Sequence, residues 1–426
     1  MQRRDLMKLA AASGGAALAG PALASCSTSA GGSSDGELLL WTHSAGNEEE
    51  LAVTDHILES FNDGQDEYTV ERESFPQDAY NDTVNAASLS GELPDVLTVD
   101  GPNVPNWAWA GNLQPLDLPA EVTDKFLPST LGIFQDQLYS VGHWEAACSI
   151  FARESVLEAA GIRIPTIEDP WTREEFDEAL ERIAADTDYQ WAIDFATADI
   201  GEWYPYAYSP FLQSFGGDLI DRSTYLTAEG ALNGEAALEW GRWFQGLFTG
   251  ELAGIESPVG GEDFNQGNAA MAYNGNWNAL AAMELYDDML FLPPPDFGNG
   301  PKIGGGSWQW AVTSAADPAG AGAFLEAALS DEFVAEFANT TGLIPATEAA
   351  AELTENYATG GALRMMVDYS REFALLRPET PAYTVIASVF TQYTGDIIHG
   401  GDVQEALDAA VSEIDADIES NSGYGF

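Results

Sequence analysis

From residue 37 the chain alternates short apolar runs with helix-periodic stretches, and this alternation restricts the fold more than any other feature. Glu37–Trp41 is an apolar run. Asn47 with Glu50 three residues on makes a capping box, and Leu51, Ile57, Leu58 and Phe61 follow at helical spacing. Tyr68–Glu73 reads as a second strand, Tyr80–Ser90 as a helix and Asp95–Val99 as a third strand. Three strands with two intervening helices predict βαβ units on a parallel sheet. Ligands of such sheets bind at the carboxyl ends of the strands, here His43 with Ser44, Glu73 with Ser74, and Asp100. Further on, Thr172 and Glu175 make another capping box ahead of an apolar stripe of Phe176, Ala179, Leu180 and Ile183. Helices are also predicted over 230–249 and 319–339. A last one starts between Asp402 and Glu405 and buries Val403, Leu407, Ala410, Ile414 and Ile418.

Charge narrows the partners. Fifteen Lys and Arg face 69 Asp and Glu, for a formal net charge of −54. A chain this acidic is often disordered, but 45% hydrophobic and 11% aromatic residues are enough to build ordinary cores. The length suggests two or three such cores. Phosphate backbones and anionic headgroups are disfavoured partners, so nucleic acid is excluded. Self-repulsion at this charge weakens the compact state at low salt and is screened at high salt, which points to a halophilic source. Lys occurs only at 8, 125 and 302.

The amino terminus reads as an address. Arg3-Arg4, Asp5-Leu6-Met7-Lys8 and a run rich in Ala and Gly resemble a twin-arginine export signal over residues 1–25. Leu23-Ala24-Ser25-Cys26 resembles a lipobox, with Cys26 as the lipidated residue. Residues 26–36 form a flexible tether of small residues. The other cysteine, Cys148, then has no disulfide partner.

Catalytic and cofactor signatures are missing. Four His at 43, 56, 143 and 399 show no H-x-x-x-H spacing, and no phosphate-binding or dinucleotide fingerprint appears. No cofactor and no metal are therefore expected. The positive signal is aromatic. Trp203, Tyr204, Tyr206 and Tyr208 cluster around Pro205; Trp277 follows Asn274-Gly275-Asn276; Trp308 follows a triple Gly. Flat apolar faces beside Asp, Asn and Glu suit neutral sugars, because rings stack on C–H faces while carboxylates accept from hydroxyls. Any one of these rings could equally be a core aromatic.

The chain resembles the sugar-binding, maltodextrin-type extracellular solute-binding proteins of ABC importers over residues 37–426. The resemblance rests on Leu93-Pro94-Asp95-Val96, Gly111–Asp117, Ala160-Gly161-Ile162 through Trp171 and Phe176, and Phe215-Gly216-Gly217. It continues through Phe264–Met271, Asn274-Gly275-Asn276-Trp277, Thr341–Pro345 and Arg377-Pro378 with Pro381 and Tyr383. It implies a two-lobed, type II periplasmic-binding-protein-like α/β fold, each lobe a mainly parallel sheet flanked by helices. Residues 37–142 and 308–342 would form the N-terminal lobe, and 146–304 and 346–426 the C-terminal lobe. Hinge crossings are expected near 143–145, 305–307 and 343–345.

By position in that family, Glu145 and Trp144 lie on a hinge strand whose carboxylate grips the sugar. Asp100 matches a polar contact, with a helix cap as the other reading. Tyr206 and Trp277 match stacking aromatics, with Trp203, Trp308 and Tyr383 as further walls. His43, Ser44 and Glu73 lie at strand ends, and Arg377 is either a ligand contact or a lobe-stabilising ion pair. The maltodextrin prototype carries an acidic–basic pair where this chain has His43 and Ser44. The implied protein is a monomeric, lipid-anchored, non-enzymatic carrier at the outer face of the cytoplasmic membrane, passing sugar to membrane permease subunits. The alternatives are a secreted glycoside hydrolase and a surface chemosensory module on the same fold.

Overall fold

The computed structural model describes residues 36–425; the export signal and Cys26 lie outside the described residues. Strands β1 (Glu37–Thr42), β2 (Thr69–Ser74) and β3 (Val96–Asp100) alternate with helices Glu48–Gly64 and Gln77–Ser90. β1 runs parallel to both β2 and β3. The first helix starts where Asn47 accepts from the Glu50 backbone N–H (3.2 Å), and it buries Val53, Ile57, Leu58 and Phe61. Next come β4 (Leu131–Phe134) and β5 (Gln137–Val141). They are joined by Gln135 and Asp136, both at positive φ, as a two-residue hairpin turn requires.

The chain then leaves this sheet through the two-residue β6 (Trp144–Glu145). A second sheet follows, built from β7 (Cys148–Arg153), β8 (Trp191–Asp194), β9 (Ala269–Gly275) and β10 (Met289–Leu292). It returns through β11 (Ile303–Gly305) to β12 (Trp308–Val312), which completes the first sheet in the order β2-β1-β3-β12-β5-β4. A third passage runs through β13 (Ile344–Pro345), paired antiparallel with β6. Finally β14 (Ala374–Leu376) pairs with β11, and helices Tyr383–Ile398 and Val403–Ser420 close the second lobe. The two lobes have separate apolar cores. Leu40, Val96, Trp310 and Phe324 lie in the first, and Phe195, Phe211, Trp240 and Phe244 in the second.

Both sheets are mixed rather than mainly parallel. β12 runs antiparallel to β3 and β5, and β7 antiparallel to β9 and β10. The cause is the crossings: β3 leaves the first sheet at the edge facing the other lobe, and β12 enters at that same edge. A strand entering where its neighbour exits must run against it.

Helix boundaries differ from expectation at two places. The stretch 230–249 is helical only from Glu235, because Gly230 takes a left-handed turn at φ +79°. The stretch 319–339 is two helices, Pro318–Ala328 and Asp331–Thr341, since Ser330 caps the second by accepting from Phe333 N–H. The Thr172 capping box is complete, and its helix buries the expected Phe176, Ala179, Leu180 and Ile183. No helix among the described residues is long and apolar enough to cross a membrane.

Candidate ligand cleft between the lobes

The aromatic run 203–208 divides by role. Residues Tyr204–Tyr208 form a single π-helical turn after β8, a geometry frequent at functional sites. Tyr204 donates to the Thr197 carbonyl (2.7 Å), while Tyr208 (2.6 Å) and the Trp203 indole N–H (3.0 Å) donate to the Phe195 carbonyl. These bonds lock the turn onto the strand end. Tyr206 makes no such bond: its hydroxyl is buried without a partner among the described residues, and its ring packs 6.2 Å from Trp203 and 6.1 Å from Trp277 between centroids. Trp277 is 38% exposed, the most open ring of this group. It folds back over Gly275, where any Cβ would sit 2.1 Å from the indole. Gly304 plays a similar part for Tyr206, whose ring would lie 2.9 Å from an added Cβ.

Arg377 reaches from the end of β14 to the first lobe. Its guanidinium lies 5.2 Å from the Tyr206 ring and donates two hydrogen bonds of 3.1 Å to the Asp100 carboxylate. It also donates to Glu202, which accepts from the Tyr383 hydroxyl as well. Asp100 stands at the N-cap position of the turn Gly101–Asn103, but its side chain makes no cap hydrogen bond. Arg377 borders a small interlobe cavity of about 20 Å³, partly open to solvent, together with Pro102, Ser129, Gly306 and Gln309. Arg377 Nε is buried without a partner among the described residues, as is Ser307 Oγ, which follows the cavity-lining Gly306 in the chain.

Glu145 is not a surface acid. It is wholly buried, and its Oε1 accepts from the Ala146 (2.7 Å) and Gly306 (2.8 Å) backbone N–H groups. Burial pushes its carboxyl up, opposed by Ser129, by those two N–H groups and by the Arg377 charge. Trp144 faces the opposite way, as the neighbour of an inward residue on an extended strand must. Its ring is stacked parallel to Phe337 inside the first lobe, 6.2 Å apart.

His43 and Ser44 also turn inward, around a second cavity shared with Trp144, Glu50, Thr98 and His143. The His43 ring stacks on Trp308 at 3.8 Å, its Nδ1 lies 3.1 Å from Thr98 Oγ1, and Ser44 donates to Glu50 (2.6 Å). Burial lowers the pKa of His43 to about 3, helped by His143, which burial lowers likewise. Trp308 stays half-buried opposite Asp100 in the β12–β3 register. Glu73 is exposed at the end of the edge strand β2, apart from both groups.

Thus Asp100, Arg377, Tyr383, Tyr206, Trp203 and Trp277 come together at the lobe interface, with Glu145 behind them. Trp144, His43, Ser44 and Trp308 gather in the first lobe. Glu202 was not anticipated. Its partner Arg377 lies 175 residues away, so the sequence offered no signal for it. No group of three potential metal ligands occurs among the described residues.

This two-lobed arrangement has known counterparts. A family model described as bacterial extracellular solute-binding protein matches residues 56–364, most of the chain. The chain belongs to this family. Similar solved structures include the cyclic alpha-maltosyl-1,6-maltose binding protein from Arthrobacter globiformis, at 21% identity and TM-score 0.75, covering 90% of this chain and 99% of that one. The GacH receptor of Streptomyces glaucescens, solved unliganded and with acarbose, gives 20%, 0.73, 90% and 98%. A solute-binding protein of Thermotoga lettingae bound to alpha-D-tagatose gives 18%, 0.73, 89% and 99%. No curated protein sequence matches. The solute-binding protein thus shares its fold with solved sugar-binding proteins, and only part of its candidate residues lie between the lobes.

Proposed function

We propose that this solute-binding protein captures a neutral mono- or oligosaccharide between its lobes and delivers it to the permease subunits of an ABC importer. The observation that carries the reading is the pairing at the interface of stacking faces, Tyr206 and Trp277, with buried carboxylates, Asp100 and Glu145. Arg377 Nε and Ser307 Oγ, buried and unpartnered, offer further hydrogen bonds to hydroxyls. The Arg377 guanidinium is already bound to Asp100 and Glu202, which disfavours its use as the cation for an anionic sugar. The structural relatives were solved with acarbose, maltotriose, tagatose and other sugars, which supports the same ligand class here.

Residues 37–142 with 308–342, and 146–304 with 346–426, are proposed as the moving lobes. The hinges lie near 143–145, 305–307 and 343–345. Sugar shifts the population towards the closed form by its differential affinity. Trp308 and Tyr383 would extend the walls of the cleft, and Trp203 would support the stacking pair. Export through residues 1–25 and lipidation of Cys26 would hold a monomeric carrier beside its permease and raise its effective concentration. The −54 charge marks a high-salt habitat.

Intrinsic tryptophan fluorescence titrated with a panel of neutral sugars, alongside a reducing-end assay, tests the function. A saturable change with at least one sugar and no product formation is expected. Binding of a polyamine, cation or peptide with no response to any sugar refutes the ligand class; sugar cleavage refutes the carrier.

A further inference from the structure

We propose that the segment 377–383 of the second lobe is a clasp that closes on residues 100–109 of the first and holds the lobes together without ligand. Three interlobe contacts converge on these two stretches or beside them. Arg377 donates bidentately to Asp100 at 3.1 Å on each arm, and both residues are 6% exposed. Asn106 Nδ2 donates to the Pro381 carbonyl at 2.9 Å. Trp109 meets Tyr424, from the end of the chain, edge to face at 4.9 Å.

The geometry on the second lobe is set in advance. Glu202 takes the Arg377 Nη1 side, accepts from Tyr383, and so aims the guanidinium at Asp100. Tyr206 and Tyr383 present their rings to the same guanidinium at 5.2 and 6.0 Å. An arginine held this way loses little side-chain freedom on meeting its partner. Opening the lobes would leave Asp100 facing the cleft without its cation. Removing one partner of a buried charge pair is costly for the same reason. Trp277 and Glu145 make none of these contacts, whereas Asp100, Arg377 and Tyr206 belong to both the clasp and the proposed sugar site, so the clasp is tested without ligand.

The consequence is a closed population before ligand arrives. Affinity then includes less of the cost of closing the cleft, since the binding-competent state is already populated. The proposal rests on the two-lobed binding reading, yet its test needs no ligand. A failed sugar titration and a failed clasp are therefore distinct results.

The test is the distance between nitroxide labels at Leu89→Cys and Leu285→Cys, one in each lobe and both strongly exposed, in the full chain carrying Cys26→Ser. Cys148 is buried and escapes labelling. Without ligand, the parent should show a main population at the separation of the present structure. Asp100→Asn should lower the closed-to-open ratio at least ~10-fold, about 1.4 kcal/mol, with an unchanged circular dichroism spectrum. Should Asp100→Asn fail to fold, Asn106→Asp sets a carboxylate against the Pro381 carbonyl and should shift the distribution the same way. An open parent overturns the clasp, as does a folded variant with the parent's distribution.

Discussion

Trp277→Ala removes the most open ring of the interlobe aromatic group while leaving the turn beneath it intact. The indole is 38% exposed and otherwise packed on Trp203 and Tyr206, whose centroids lie 6.1 Å away. For a ring presenting ~200 Å², that exposure leaves about 80 Å² for a ligand to cover. At ~25 cal/mol per Å² this is worth about 2 kcal/mol, or ~30-fold in Kd. The remaining contacts are lost as well, so the thermal midpoint should fall by a few degrees without loss of folding. Isothermal titration calorimetry with the sugar found by fluorescence, on parent and variant in the same high-salt buffer, measures the effect. A folded variant whose Kd stays within ~3-fold of the parent refutes the stacking role, since coverage of that face is what the estimate counts.

Other outcomes follow from single residues. Gly275→Ala would place a methyl 2.1 Å from the Trp277 ring, so it should displace the indole, alter tryptophan fluorescence and weaken sugar binding; an unchanged Kd and spectrum would contradict the local geometry. Asp194 is fully buried and accepts from the Ala196, Asp263 and Phe264 N–H groups, and burial raises its pKa to about 6. Because that value lies above the usual 3.8, its contribution to stability is complete below the unfolded value and lost as pH rises through about 6. Relative to Asp194→Asn, the parent should lose up to ~3 kcal/mol between about pH 4 and pH 7 in urea melts at fixed salt, and a constant difference would contradict this. Finally, the thermal midpoint should climb as KCl is raised towards ~1 M, where surface repulsion is screened; full stability in dilute buffer would remove the halophilic reading.

Local rules made much of the fold legible. Asn47, Thr172 and Asp402 each cap the helix expected to follow them, because a cap needs only neighbouring residues. The parallel β1, β2 and β3 followed from apolar spacing for the same reason. Strand direction beyond them did not, because β12 arrives from another lobe more than two hundred residues later and only the crossing fixes its sense. Ser330 was hidden inside a stretch whose apolar periodicity continues across the break.

The interface residues were legible by type but not by orientation. Trp144 and Glu145 were paired in expectation, yet alternation along an extended strand sends one into the first lobe and the other to the hinge floor. Tyr204, Tyr206 and Tyr208 are equivalent in the sequence, but only Tyr206 lacks a backbone carbonyl to bond, and its ring lies against the Arg377 guanidinium. His43 stands at a strand end as expected, but stacking on Trp308 draws it into the lobe. Glu202 depended on Arg377, 175 residues away in the chain, and no local pattern connects them.

A crystal structure with the bound sugar tests the central claim most directly. The account predicts a sugar ring between the lobes, stacked on Trp277 or Tyr206, with its hydroxyls within hydrogen-bonding distance of Glu145, Ser307 or Arg377 Nε. Density for the sugar outside the interlobe cleft, or in it but away from these aromatics and acids, would contradict it.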